Sequence, residues 1–167
     1  MSSRRSQNLF FRRVGEALSP YQLVEAILKI YVAKAHLRIE RILAGKVPFN
    51  YPSSEYENAA LGQLISLFKR HSNNNPLIMR LKAAKEKRNY IAHKIIEDYM
   101  HHHEKNPKIA SGISRKLKKI QSDGYDLVED MLQELRVLDD LDDAVREVLA
   151  KREKALAEHP NTRAETS

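Results

Sequence analysis

The sequence predicts an all-α protein, a bundle of four to five helices, on three observations. Apolar residues recur at three- and four-residue steps through almost the whole chain, Pro-containing start signals punctuate it, and no stretch of useful length shows the alternation of a strand. Residues 1–18 read as a basic N-terminal arm, four Arg and three Ser around the short apolar cluster Leu9-Phe10-Phe11 over residues 1–13. A single domain is expected over 19–157, and a polar tail over 158–167.

Ser19-Pro20-Tyr21-Gln22 has the pattern of a helix start: Ser as N-cap, Pro where its missing N–H is harmless, Gln able to return a capping-box bond. Val24, Ile27, Leu28, Tyr31, Ala35, Ile39 and Ile42 then give this first helix a buried face, and Gly45 ends it. Val47 to Ser54, with two Pro, an Asn and two Ser, forms a loop into a second helix that carries Leu61, Leu64, Ile65 and Phe68. The polar run His71-Ser72-Asn73-Asn74-Asn75-Pro76 breaks the pattern and starts a third helix, whose apolar face runs through Ile78, Leu81, Ala84, Ile91 and Ile95 and which fades by Lys105. Asn106-Pro107 opens the longest segment, from Ile113 to Leu149. Unbroken to Ala157 it would extend ~75 Å at ~1.5 Å per residue, so a bend is expected at Gly112 or Gly124, with Asp139–Asp143 as a possible second start.

The 167 residues include 29 Lys and Arg against 22 Asp and Glu, a formal charge of +7 that favours a polyanionic partner such as nucleic acid or an anionic surface. With no Cys, disulfides, Cys-ligated zinc and thiol nucleophiles are excluded. No apolar run approaches the ~20 residues of a membrane span, so a soluble, unprocessed, cytoplasmic protein without membrane association is expected.

The chemistry concentrates in Arg88-Asn89-Tyr90-Ile91-Ala92-His93, within the third helix. RNA carries a 2′-hydroxyl beside each phosphate, so a base that removes its proton and a cation that stabilises the crowded phosphorus suffice for cleavage without a metal. His93 suits the first role, because imidazole titrates near neutrality. Arg88 suits the second, because a guanidinium stays charged and presents paired donors to phosphate oxygens. Asn89 is placed to hold the imidazole or a substrate oxygen. Lys85, Lys87, Tyr90 and Lys94 surround the pair as candidate substrate-binding residues, and no cofactor or metal is called for. On a straight helix Arg88 and His93 lie ~140° apart, so their convergence needs a helix irregularity near Tyr90, the reach of the Arg side chain, or a second copy of the chain. The ordinary alternative is that both cap and pair within a helical core.

This motif, after two amphipathic helices in a basic all-helical chain, resembles the signature of the HEPN superfamily, an Arg, four to six residues, and a His, often with a polar residue directly after the Arg. The resemblance spans roughly residues 19–105. It implies an up-and-down helical bundle, commonly a homodimer whose two motifs meet at a cleft. It also implies a metal-independent endoribonuclease, often a toxin paired with an antitoxin or a component of phage defence. One toxin subgroup has Tyr two residues after the His; Ile95 stands there here and sets this chain apart from it. Two other readings stay open: a non-catalytic HEPN-like dimerisation or partner-binding module, and a helical adaptor that binds nucleic acid by charge alone. A metal site on the helical steps His93, Glu97 and His101 is a further alternative, whereas the adjacent His101-His102-His103 cannot all face one ion. The basic run Arg115, Lys116, Lys118 and Lys119 reads as a solvated helix face or part of an anion-binding surface.

Overall fold

A computed structural model describes residues 2–43, 46–49, 51–103 and 107–158. Six α-helices and no strand occur among the described residues: α1 (Ser2–Leu43), α2 (Ser54–Glu57), α3 (Leu61–His71), α4 (Asn75–His93), α5 (Ile95–His103) and α6 (Pro107–Glu158). The all-α expectation is met; the six helices exceed the four to five expected, through the short α2 and the division at Lys94. The tail beyond residue 158 lies outside the described residues.

A correction concerns the N-terminus. Ser19-Pro20 does not start a helix; it lies inside α1, which already covers residues assigned to a basic arm. Phe10, Val14 and Ala17 are buried in the core, and the Phe10 ring stacks on Tyr99 with centroids 3.6 Å apart. The three apolar positions continue the first helix's buried face toward its N-terminus, a pattern that the intervening Arg residues obscure.

Pro20 inside a helix removes a hydrogen bond and would ordinarily cost ~3 kcal/mol. The fold places its ring against α6 at Gly124, where an added Cβ would come within 2.7 Å of Pro20 Cγ and 3.0 Å of its Cβ. Next to it, the buried Tyr21 hydroxyl donates to the Ile120 carbonyl of α6 at 3.0 Å. Gly124 therefore permits a close helix approach. The Gly124→Ala variant is expected to lose about 1–3 kcal/mol through overpacking of the rigid ring, more than the gain of about 1 kcal/mol in helix propensity. Gly112, with open space around its Cα, should gain roughly 0.5–1 kcal/mol as Ala. Chemical denaturation of the two variants beside the parent reads both signs.

α6 runs as one helix from Pro107 to Glu158, with no break at either glycine. It needs none, because α1 is nearly as long and lies alongside it. Tyr21 meets Ile120, Lys34 pairs with Asp139, and Arg41 pairs with Asp142, so the two helices run in the same direction. Toward its C-terminus α6 carries the i, i+4 pairs Asp142–Arg146 and Glu147–Lys151, which support the helix locally.

Against α6, the α4 contacts Lys87–Asp123, Arg80–Asp130 and Asn74–Glu134 run the opposite way. Parallel pairing recurs between α1 and α3, since Tyr31 packs on Phe68 and His36 on His71. Residues 51–57 return along α1, from Tyr51 beside His36 to Glu57 at Lys29, before α3 begins, and the order of the long helices is up, up, down, up. Strict up-and-down alternation is not what these contacts describe. Leu61, Leu64, Ile65 and Phe68 of α3 and Ile78, Leu81, Ala84 and Ile91 of α4 enter the core as their periodicity indicated.

The third helix of the sequence divides at Lys94 (φ −114°, ψ −30°), where α4 ends and α5 begins. Ile91, Ile95 and Tyr99 are all buried at four-residue steps. Such a stripe drifts ~40° per step around a 3.6-residue helix, and the break at Lys94 realigns it so that Tyr99 reaches Phe10.

Candidate functional site

The Arg-to-His motif occupies the last turn and a half of α4. Asn74 caps this helix by accepting from the Leu77 N–H at 3.2 Å, one residue earlier than Asn75, and Pro76 sits in the first turn. His93 is the last residue of α4 and is exposed, directly before the break. Arg88 turns toward α1, where its Nε lies 3.6 Å from Glu25 Oε1 with the side chain 38% exposed. Asn89 is half-buried between them in sequence. α4 is continuous from Arg88 to His93 and breaks only afterwards, at Lys94, so no irregularity near Tyr90 brings the two side chains together, and Arg88 is engaged by α1.

The candidate substrate-binding residues divide among different neighbours. Lys85 lies over Gly62 of α3. Lys87 pairs with Asp123 of α6 at 2.6 Å. The Tyr90 hydroxyl donates to Asp98 at 2.8 Å, and the Lys116 ammonium sits 3.8 Å from the ring centroid. Burial first, then Asp98, pushes the Tyr90 phenol up to about 12, so it remains a donor at cellular pH. One face and the hydroxyl of Tyr90 are therefore occupied and not available for base stacking. Lys94 is exposed. The Lys116–Tyr90 contact has a larger consequence. It brings the exposed run Arg115, Lys116, Lys118 and Lys119 of α6 beside the motif, making one cationic surface from two sequence segments.

Among the described residues no three His, Cys, Asp or Glu side chains gather as metal ligands. His93, Glu97 and His101 stand on either side of the Lys94 break and form no such group. The side chains of His102 and His103 lie outside the described residues. Among the described residues no helix is long and apolar enough to cross a membrane.

A second cluster escaped the sequence reading. His36 Nε2 and His71 Nε2 are 3.0 Å apart, joining α1 to the end of α3, and His36 is buried. Tyr51 packs on His36 with ring centroids 3.8 Å apart, and Tyr56 and Phe49 stand further round it. The signal available was weak: His36 falls on the buried periodicity of α1, and three aromatics punctuate the following crossover. Burial holds both imidazoles below their ordinary value of 6.5; Glu55 opposes this at His36, whereas His36 itself and Arg70 add to it at His71.

A folded value below the unfolded one means that the unfolded chain binds more protons, so stability from this pair is present above about pH 6.5 and is lost as pH falls below it. Asp142, held below the ordinary carboxylate value of 3.8 chiefly by its hydrogen bond from Arg41, loses its contribution only at lower pH. Urea denaturation is expected to give a lower midpoint at about pH 5 than at about pH 7, with a smaller difference in His71→Gln. Equal differences in the two proteins would remove the histidine pair as the cause. No protein-family model, curated protein or solved structure matches the chain.

Proposed function

We propose that the chain is a metal-independent endoribonuclease of HEPN type, with Arg88 and His93 as its catalytic pair and Asn89 in support. The observation that carries this reading is an exposed His93 at a helix break, with Arg88 and Asn89 upstream and a cationic surface from α4 and α6 alongside. In the reaction His93 takes the 2′-hydroxyl proton, the 2′-oxygen attacks phosphorus, and the P–O5′ bond breaks. The 5′-oxygen leaves with a proton returned by the imidazolium, giving a 2′,3′-cyclic phosphate and a 5′-hydroxyl. Arg88 neutralises charge on the non-bridging oxygens, for which its guanidinium must leave Glu25 for the phosphate or act together with a second copy's motif.

A homodimer suits this requirement. Ile96 and Met100 of α5, 40% and 54% exposed and one turn apart, provide an apolar patch just beyond His93 on which a second copy can dock. An antitoxin or other acidic protein that covers the cationic surface would silence the activity, in line with a toxin–antitoxin or phage-defence setting. The test is incubation of the purified chain and Arg88→Ala with total RNA in EDTA. Cleavage by the parent and its loss in the variant are expected; equal cleavage by both would remove Arg88 from the mechanism.

The Arg88–Glu25 pair favours a second reading, a non-catalytic module in which the motif ties α4 to α1. A half-exposed pair of this kind is worth only about 0–1 kcal/mol, so loss of dimerisation in Arg88→Ala together with an RNA-inert parent would support that reading.

A further inference from the structure

A partly open cavity of about 140 Å³ is lined in part by His36 and Glu40 of α1 and by Phe49, Tyr51 and Tyr56. Two buried polar atoms on this lining have no hydrogen-bond partner, His36 Nδ1 and Tyr51 Oη. Native proteins rarely leave such atoms unpaired, and two on one small cavity call for an occupant with a polar hydrogen. His36 is 7% exposed, so its free nitrogen does not reach bulk water.

The remaining features define the occupant's charge. Three aromatic side chains contribute to the wall, and aromatic faces attract cations and repel anions. Glu40 stands at the exposed edge of the same cavity, and the Tyr51 phenol is pushed up chiefly by Glu55 beside its hydroxyl and then by burial, with Arg70 acting the other way. The small volume limits the occupant to a compact ligand. We propose that this cavity binds a small protonated alkylamine, with the ammonium donating to His36 Nδ1 and Tyr51 Oη, the aromatic rings around it, and Glu40 balancing its charge. The His36–His71 contact then has a definite direction: His36 Nε2 donates to His71 Nε2, leaving Nδ1 with the lone pair that the ligand needs. Burial keeps both imidazoles neutral near physiological pH, which preserves that lone pair. This site is independent of the Arg88–His93 reading.

The test uses the full chain with nitrogen-15-labelled histidine at about pH 7.5, where imidazole is neutral. Ring-nitrogen shifts are followed during titration with propylammonium chloride at constant ionic strength, and again with neutral 1-propanol. A saturable shift at His36 Nδ1 with propylammonium and none with propanol is expected. Glu40→Gln and Tyr56→Leu should each weaken that binding at least about threefold, as loss of a charge or of a cation–π face requires. Backbone amide spectra establish that both variants fold. An absent shift, an equal shift with propanol, or unchanged affinity in both variants would each overturn the proposal.

Discussion

His93→Ala is expected to lower RNA cleavage by roughly 10²–10⁴-fold while leaving the fold intact, the range for removing a positioned general base. The separation of the two effects follows from its location. His93 is exposed at the end of α4, and surface substitutions away from packed features usually stay within about ±0.5 kcal/mol. Arg88→Lys adds a discriminating companion. Lysine keeps the charge but loses the planar paired donors, so cleavage should fall even though attraction to the RNA persists. Cleavage rates on a defined RNA, read beside thermal denaturation of each variant, check both statements. Wild-type rates in His93→Ala would remove the histidine from the chemistry.

The largest expected effect on stability lies where the sequence pattern indicated a frayed arm. Phe10 is 2% exposed, and its ring is parallel to that of Tyr99, with an interplanar angle of 6°. Phe10→Ala should cost about 3–5 kcal/mol, from lost burial and the cavity left behind. The neighbouring Phe11 is 47% exposed, and its Ala variant should change stability far less. Urea denaturation of the two variants makes the comparison within one segment. Similar small losses in both would place residues 7–18 outside the cooperative core.

What the sequence made legible was helical periodicity at positions where the chain is amphipathic. Leu61, Leu64, Ile65 and Phe68, then Ile78, Leu81 and Ala84, carry their burial in their spacing. Pro20 misled because Ser-Pro is a start signal in local terms, and only the partner residue Gly124, distant in sequence, makes an internal proline tolerable. The unbroken length of α6 depends likewise on α1 lying beside it, and a window along one segment carries no such information. The α4–α5 break at Lys94 settles a drift in a buried stripe, which becomes visible once Phe10 and Tyr99 are seen to meet.

The candidate site was partly legible for the same reason. The Arg88-to-His93 motif could be read from residue types at short spacing, as could its basic surroundings. That Lys85 and Lys87 turn to α3 and α6, and that Lys116 covers Tyr90, are products of packing between helices. The histidine pair was hidden more deeply. His36 and His71 belong to different helices, and their chemistry arises from mutual burial, which neither sequence neighbourhood encodes.

The most direct measurement is the end chemistry of RNA fragments made by the purified chain in EDTA. Fragments with 2′,3′-cyclic phosphate and 5′-hydroxyl ends, formed by the parent and not by His93→Ala, are the predicted result, because in the proposed reaction the 2′-oxygen is the nucleophile and no metal takes part. Fragments with 3′-hydroxyl and 5′-phosphate ends, or RNA left intact by a folded parent chain, would contradict the account.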